Sequence, residues 1–211
     1  RQINWSFILK LYEDRFPSWE IVVSDSPTEE YSRTSAFLAA AAQSSGDILV
    51  VADADVWTEG LKDAVQAVAS GAPWVNPASD VALLDQNESD RVIRNASFDK
   101  AKPQTVVRKI PCGGIVVISR EAFRRCPPDP RFIGWGFEDN AWTIALTSTI
   151  GAYIMIPKPL WHLWHPVGGR SVTTAQNEAR LQEYIATRGS AEVLRKLNPE
   201  LSLLPKATDV K

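Results

Sequence analysis

Apolar positions change their spacing several times along the first third of the chain. Residues 1–19 have helical spacing and predict a helix ended by a proline, whereas residues 20–24 and 48–52 are short apolar runs that predict buried strands. Ser32 is expected to cap a helix between these two strands. Because helices and strands alternate, we expect an α/β fold with a mainly parallel sheet flanked by helices.

The rest of the chain continues this alternation with one gap. Thr58 is expected to cap a helix over residues 59–69, and Ser119 a short helix after it. Residues 77–109 are polar and mixed and predict no element, so we expect a variable region that meets a second substrate. The remaining predicted strands are 74–75, 115–118, 153–156 and 160–164, and the remaining predicted helices are 120–125, 138–147, 174–187 and 191–196.

Length and patterning predict one domain over residues 1–170 and a helical tail over residues 171–211 that packs on it, with Gly168-Gly169 as a hinge. The net charge of -2 argues against a dedicated nucleic-acid binder. No apolar run approaches the roughly 18 residues that span a bilayer, and no transmembrane segment is expected. Two cysteines are too few for a disulfide scaffold, so we expect a reduced, cytoplasmic protein.

Two carboxylates, Asp53 and Asp55, follow the predicted strand 48–52 directly. Ligands of open parallel sheets bind at the carboxyl ends of the strands, and two acids two residues apart can reach a hard cation and its bound diphosphate together. A divalent ion would neutralise the charge that develops on a diphosphate leaving group. Taken alone, the pair is also typical of a solvated turn in which Asp55 caps the next helix.

A second acidic pair, Glu138-Asp139, follows Gly134-Trp135-Gly136-Phe137. Adjacent acids at a helix start are often only favourable partners of the helix dipole. Here the glycines permit close backbone approach, and Trp135 offers a flat apolar face that suits a hydroxyl-bearing ring. One acid can then hold a hydroxyl while the other removes its proton.

The only two histidines, His162 and His165, lie within four residues of each other. A neutral imidazole is a good ligand for a transition-type divalent ion, and a packed, hydrogen-bonded histidine is the alternative. In a continuous strand these side chains would point to opposite faces, so only one is expected to be a ligand. Asp25, after strand 20–24, is a candidate for binding a base or ribose, and Arg33 for facing a diphosphate.

Taken in order, these features resemble the GT-A-fold glycosyltransferases, especially family 2 and its relatives. The matching residues are the strand ending in Asp25, then Arg33, then strand 48–52 with its Asp-x-Asp. The segment from Gly113-Gly114 through Phe132 to Glu138-Asp139 resembles the galactosyltransferase-type segment of β4-galactosyltransferases and polypeptide N-acetylgalactosaminyltransferases. The resemblance covers about residues 5–170. It implies a GT-A (Rossmann-like) sheet and sugar transfer from a nucleotide sugar, with a UDP-sugar as the expected donor.

The resemblance also implies roles for individual residues. On the donor side, Asp25 would contact the base or ribose, Arg33 the base or diphosphate, and Asp53 the ribose or the metal, with Gly114 beside them. Asp55 would bind Mn²⁺ or Mg²⁺, and His162 or His165 would complete the metal site. Glu138 would bind the acceptor or donor sugar, Trp135 the acceptor, and Asp139 would be the general base if the reaction inverts the anomeric centre.

The chain departs from the family pattern at two points. It starts at the helix after the fold's first strand, so we expect a sheet that lacks this strand. Phe137 stands where relatives often have glycine, which implies a narrower pocket. The alternatives are a nucleotidyltransferase of similar fold and a catalytically idle sugar-binding module. For the acceptor, a saccharide is expected first; a lipid-linked sugar, a protein and a modified nucleic-acid base remain open.

Overall fold

The computed structural model describes residues 2–166, 172–187 and 190–197, in which helices and strands alternate. The helices are α1 (Gln2–Arg15), α2 (Arg33–Gln43), α3 (Leu61–Ala69), α4 (Gln86–Asn95), α5 (Arg120–Arg125), α6 (Glu138–Thr149), α7 (Val172–Ala186) and α8 (Ala191–Leu197). The strands are β1 (Ile48–Ala52), β2 (Val56–Trp57), β3 (Trp74–Asn76), β4 (Asp80–Leu83), β5 (Thr105–Arg108), β6 (Ile115–Ser119), β7 (Ile154–Met155) and β8 (Pro159–His162). The predicted α/β class is confirmed, but a mainly parallel sheet was expected and the described strands pair in a mixed way, with four antiparallel and two parallel pairings.

The strands form two sheets of four, in the orders β1-β6-β3-β7 and β2-β8-β4-β5. In the first sheet β1, β3 and β7 point the same way, and β6 runs against them between β1 and β3. In the second sheet β8 is parallel to β4 and antiparallel to β2. The carboxyl end of β1 therefore leads through a short turn into β2, which carries the chain from one sheet to the other.

Strand β6 shows why its apolar run does not alternate with polar residues. Ile115 and Val117 face a core that contains α1 and α3, whereas Val116 and Ile118 face a second core that contains α5, α6 and α7. A strand covered on both faces is apolar at every position. Side chains 115–118 are at most 1% exposed, so β6 is a rigid central support for the loop that precedes it.

Two of the three predicted helix caps are confirmed. The Ser32 hydroxyl accepts from the Ser35 N–H at the start of α2, and the Ser119 hydroxyl accepts from the Ala122 N–H at the start of α5. The prediction that Thr58 caps α3 is wrong. The helix begins at Leu61, and the Thr58 hydroxyl accepts from the Gly60 N–H, which precedes the helix. That hydroxyl also donates to the Pro77 carbonyl, which ties the β2–α3 turn to β3.

The strand predicted over residues 20–24 is not formed. The segment is extended, but within the described part of the chain no strand pairs with it, and Ile21 and Val23 are 37% and 56% exposed. β1 pairs with β6 on one side only, and a cavity of about 400 Å³ lies between residues 19–22 and its other edge. An apolar run becomes a strand only if a neighbouring backbone supplies its hydrogen bonds, and among the described residues none does so here.

The region without a predicted element, residues 77–109, contains β4, α4 and β5. α4 is capped by Asp85, whose carboxylate accepts from the Glu88 N–H. All four residues of β5 are exposed, so this strand has no buried face to give it an alternating pattern. β8 ends at His162, two residues earlier than predicted, and this difference affects the site described below.

Helix α7 packs on the segment that leads into the glycine-rich turn. The Asn177 side chain donates to the Ile133 carbonyl, and Arg180 donates to the Arg131 carbonyl. The Tyr184 hydroxyl donates to the buried carboxylate of Asp129. These contacts hold residues 129–133, whereas the predicted hinge at Gly168-Gly169 lies outside the described residues and the predicted division at residue 170 stays a prediction. In the described residues no helix has the length and apolar character needed to cross a membrane.

Gly114 precedes β6 and has a positive φ of 75°, a conformation that favours glycine. A Cβ at this position would lie 2.5 Å from a methyl carbon of Leu160. We expect Gly114→Ala to lower the free energy of unfolding by about 2 kcal/mol, combining backbone strain with overpacking. Urea unfolding would measure this, with Gly46→Ala as the matched control because a Cβ there meets nothing closer than 3.6 Å. Equal stability of the two variants would contradict the account of Gly114.

Candidate active site

The Asp53–Asp55 turn is held at both ends. The Asp53 N–H donates to the Gly114 carbonyl at 2.8 Å, which extends the β1–β6 pairing by one residue. On the other side, Val56 and Trp57 are 0% and 2% exposed and anchor β2 in the core. The two carboxylates therefore project from a fixed turn between two sheets.

Asp55 lies against both histidines. β8 pairs with β2 so that His162 is opposite Val56, and the Leu163 N–H donates to the Asp55 carbonyl at 3.0 Å. His165 Nε2 is 3.3 Å from Asp55 Oδ2, and His162 Nε2 is 3.9 Å from Asp55 Oδ1. One potential ligand atom from each of the three residues lies within 4.8 Å of the others, as a divalent-ion site requires.

Both imidazoles lie near the Asp55 carboxylate, whereas side chains on opposite faces of a strand were expected; that only one of them is a metal ligand stays a prediction. That expectation assumed a strand continuing through residue 164, in which side chains three residues apart point to opposite faces. Because β8 ends at His162, His165 lies on the following loop, and the two ring centroids are 5.2 Å apart. His165 Nδ1 lies 3.0 Å from the Pro166 carbonyl, a contact that orients this ring.

Asp53 turns away from this cluster and pairs with Arg33. Arg33 Nε donates to Asp53 Oδ1 at 2.6 Å, and Arg33 Nη1 lies 3.4 Å from Glu138 Oε1. Arg33 Nη2 also donates to the Cys112 carbonyl at 3.4 Å, and the guanidinium lies over the Phe37 ring. The first residue of α2 therefore joins the carboxyl end of β1 to the start of α6.

These charges are partly withdrawn from water. The side chains of Arg33 and Glu138 are 13% and 11% exposed. Burial favours the neutral form of Arg33, but Asp53 and Glu138 outweigh it and raise the pKa of the guanidinium above its ordinary value. Burial raises the pKa of the Glu138 carboxyl, and Arg33 offsets part of that shift. Arg33 is thus a permanent cation whose main neighbours are two acids.

Glu138 and Asp139 occupy the first turn of α6. Phe137, the residue before them, has a φ of 72°, a left-handed conformation that is unusual for a bulky side chain and typical of functional turns. Asp139 Oδ1 accepts from the Asn140 N–H at 2.8 Å, and in the described part of the chain no salt bridge holds this carboxylate. A Cβ on Gly113 would lie 3.1 Å from Asp139 Oδ2, so this glycine permits close approach.

The glycine-rich turn holds Trp135 at the surface. The Gly134 N–H donates to the Tyr31 carbonyl at 2.7 Å, and Gly134 forms an isolated bridge with Ser32, next to Arg33. Trp135 is 63% exposed, and its ring is available to a ligand. Asp25 lies on the exposed segment that pairs with no strand. Among the described residues, no salt bridge or side-chain hydrogen bond joins its carboxylate to Arg33 or to the acids of the site.

One residue of the site neighbourhood was not predicted. Lys109 is only 5% exposed, and its ammonium donates to the carbonyls of Ile110, Pro111 and Ile115. It lies at the end of the region that gave no periodic pattern. The segment Lys-Ile-Pro-Cys-Gly-Gly at residues 109–114 is visible in the sequence, but the burial of its lysine depends on long-range packing that no local pattern reveals.

Removing the cation tests the arrangement around Arg33. We expect Arg33→Met to lower the free energy of unfolding at neutral pH by about 3 kcal/mol, because two partly buried carboxylates lose their partner. The pKa of Glu138 is higher in the folded protein than its ordinary value. As pH rises between these two pKa values, ionisation of Glu138 lowers the free energy of unfolding. The deficit of the variant should therefore shrink at mildly acidic pH.

Urea unfolding at neutral and acidic pH would measure both effects. The matched control is Arg108→Met, which removes an exposed arginine of β5. A loss in Arg33→Met that is no larger than in the control, or that grows as pH falls, would contradict the role of Arg33.

No protein-family model matches the chain, and no curated protein matches its sequence. It is similar to two crystal structures of glucosyl-3-phosphoglycerate synthase from Mycobacterium tuberculosis, each at 16% identity over 92% of this chain and 61% of that one. One is in complex with Mn²⁺, UDP and glucosyl-3-phosphoglycerate (TM-score 0.37), the other with Mn²⁺, UDP-glucose and phosphoglyceric acid (TM-score 0.38). The chain spans about three fifths of the length of that synthase, and a likeness of this degree does not assign it to a family.

Proposed function

We propose that this chain is a metal-dependent glycosyltransferase that moves a hexose from a UDP-sugar to an acceptor hydroxyl. The observation that carries the proposal is the cluster of Asp55, His162 and His165. Asp55 lies two residues after Asp53, whose carboxylate is bound by Arg33. A metal site beside a buried cation and two further acids is suited to a diphosphate-bearing substrate that also presents hydroxyl groups.

The donor set of this cluster fits a divalent cation. A carboxylate and two imidazoles, each partly exposed, leave one side of the site open to solvent. This mixture of oxygen and nitrogen ligands suits Mn²⁺ better than Mg²⁺, which prefers oxygen ligands and retains water. A cation held there would neutralise the charge that develops on the departing diphosphate.

The residues around Arg33 are assigned to the donor. Arg33 holds Asp53 Oδ1, so Asp53 Oδ2 is left to accept a hydrogen bond from a ribose hydroxyl. Glu138 is held by the same guanidinium and is assigned to a sugar hydroxyl. Gly114 contributes its backbone, because its carbonyl fixes the Asp53 N–H. Asp25 is assigned to the base, where the extended segment meets solvent.

Asp139 is assigned as the general base of an inverting reaction. Its carboxylate is not held by a cation in the described chain, and one oxygen is fixed by the Asn140 N–H, so the other can accept a proton. The acceptor oxygen would form a bond to the anomeric carbon as its proton passes to Asp139 and the bond between that carbon and the diphosphate oxygen breaks. Trp135 would stack on the acceptor ring, for which a saccharide is the proposed class.

Identification of the products tests this proposal. The protein is incubated with each of a panel of UDP-sugars and with nucleoside triphosphates, with Mn²⁺ or with chelator, and the phosphorus products are followed by nuclear magnetic resonance. Release of UDP from one sugar donor, only with Mn²⁺, is expected. Release of pyrophosphate from a triphosphate would instead indicate a nucleotidyltransferase, and sugar binding with no turnover of any donor would indicate a binding module.

A further inference from the structure

Lys109 combines two properties that rarely occur together in a soluble protein. It is a cation with only 5% of its surface exposed, and no carboxylate in the described chain forms a salt bridge with it. Buried lysines are normally paired with an acid, because transfer of an isolated charge out of water is costly. Lys109 is held by backbone carbonyl groups instead, which suggests a role beyond stability.

Two of the carbonyls around Lys109 belong to the loop between β5 and β6, and the third belongs to Ile115, the first residue of β6. Lys109 Nζ donates to Ile110 at 3.2 Å, to Pro111 at 2.8 Å and to Ile115 at 3.1 Å. An ammonium group has three N–H donors, and all three are used. The 110–114 loop is therefore folded around a single charged atom.

The same loop forms one wall of the candidate active site. The Cys112 carbonyl accepts from Arg33, and the Gly114 carbonyl accepts from the Asp53 N–H. Gly113 lies against Asp139, because a Cβ added at Gly113 would be 3.1 Å from Asp139 Oδ2. Three consecutive residues of the loop thus touch the residues assigned to the donor and to the base.

We propose that Lys109 is a positioning residue of this site. Its ammonium fixes the conformation of the 110–114 loop, and the loop fixes the positions of Arg33, Asp53 and Asp139. The relevance to catalysis rests on the proposed transferase function, whereas the effect on the loop does not. Lys109 lies behind the loop and is not assigned to the substrate.

Protonation decides how many bonds Lys109 can donate. Burial lowers the pKa of the Lys109 ammonium to about 7. The titratable and charged groups that face it are the Cys112 thiol, Arg33, Asp139 and Asp53; Arg33 lowers the pKa of Lys109, and negative charge on the other three raises it. Burial raises the pKa of Cys112 to about 12, so this thiol is neutral near pH 7. Because a neutral amine has two N–H groups and a lone pair, deprotonation removes one of the three bonds and sets the lone pair against a carbonyl oxygen. The loop is therefore expected to loosen as pH rises through about 7.

Amide hydrogen exchange tests the proposal without any substrate. Lys109→Met keeps an unbranched side chain that is one atom shorter and donates no hydrogen bond. The informative amides are Gly113, which donates to the Ile110 carbonyl, and Asp53, which donates to Gly114. We expect both to exchange about tenfold faster in the variant, while Leu146 in the interior of α6 keeps its protection. The matched control is Lys158→Met, which changes an exposed lysine.

Wild-type protein gives a second reading that does not depend on the variant folding. After correction for the intrinsic rate, protection of Gly113 and Asp53 should fall as pH is raised through about 7. Unchanged exchange at both amides, in the variant and across this pH range, would overturn the proposal. Faster exchange throughout the protein, Leu146 included, would also overturn it by showing that Lys109 only stabilises the fold.

Kinetics then connect the loop to the reaction. We expect Lys109→Met to lower kcat about tenfold and to change Mn²⁺ affinity less than about twofold, because Asp55, His162 and His165 are carried by the β1–β2 turn, by β8 and by the residues after β8, and not by the 110–114 loop. Equal losses in both would contradict positioning through the loop. If the wild-type protein turns over no sugar donor, the transferase proposal fails while hydrogen exchange still decides the role of Lys109.

Discussion

Asp55→Ala is expected to abolish both Mn²⁺ binding and sugar-donor turnover. Asp55 is the only carboxylate of the described cluster, and it lies within 4 Å of both imidazoles. Without its charge, two neutral imidazoles bind Mn²⁺ poorly, and we expect Mn²⁺ affinity to fall about 100-fold or more. Since a bound divalent ion is worth several kcal/mol to a departing diphosphate, UDP release should fall about a thousandfold.

Calorimetric titration with Mn²⁺ and an assay of UDP release measure the two effects separately. Asp90→Ala is the matched control, because Asp90 is an exposed acid of α4 outside the site. Far-ultraviolet circular dichroism of both variants verifies folding. Retained Mn²⁺ affinity in Asp55→Ala would show that the cluster is not the metal site, and retained UDP release with the metal removed would show that the reaction does not need one.

Asp139→Asn is expected to slow the chemical step with little effect on binding. Asparagine keeps the shape of the side chain, and its amide oxygen can still accept from the Asn140 N–H, but it cannot take a proton at neutral pH. General base catalysis contributes about 10²- to 10⁴-fold, so kcat should fall by that factor. Affinities for Mn²⁺ and UDP should change less than about twofold, because Asp139 is not a member of the metal cluster.

Steady-state kinetics with the best donor, together with UDP titrations, separate these quantities. Asp47→Asn is a suitable control because Asp47 is exposed at the opposite end of β1. If kcat and UDP affinity fall together, Asp139 is a binding group and the base must be sought elsewhere. If neither falls, the inverting assignment fails.

The sequence predicted best the elements that are buried on two faces. β1 and β6 are short apolar runs with clear turns around them, and the caps Ser32 and Ser119 act within three residues of themselves. Residues 20–24 carry the same kind of run, yet they form no strand, because pairing depends on a neighbouring backbone and not on the run itself. The exposed strand β5 was not predicted, because it has no buried face to produce an alternating pattern of apolar residues.

Some features of the candidate site could likewise be predicted from the sequence, and others could not. The turn at Asp53 and Asp55 follows from the end of β1, but the direction of each carboxylate does not. Arg33 draws Asp53 toward Glu138, 105 residues away from Arg33 in the chain, while the early end of β8 lets both histidines reach Asp55. Side-chain contacts of this range depend on the packing of α2, α6 and β8, which no local spacing encodes. Lys109 was missed because its burial and its bonds to three carbonyls depend on how the chain packs around it.

In the proposed function, Asp55, His162 and His165 hold a divalent ion on which sugar transfer from a UDP-sugar depends. The most direct measurement is the rate of UDP release from a panel of UDP-sugars as Mn²⁺ is titrated into chelator-treated protein. We expect that one donor is turned over, that the rate saturates with Mn²⁺, and that Asp55→Ala shows no such dependence. A rate that is the same with chelator and with Mn²⁺, or no UDP release from any donor at saturating Mn²⁺, would contradict it.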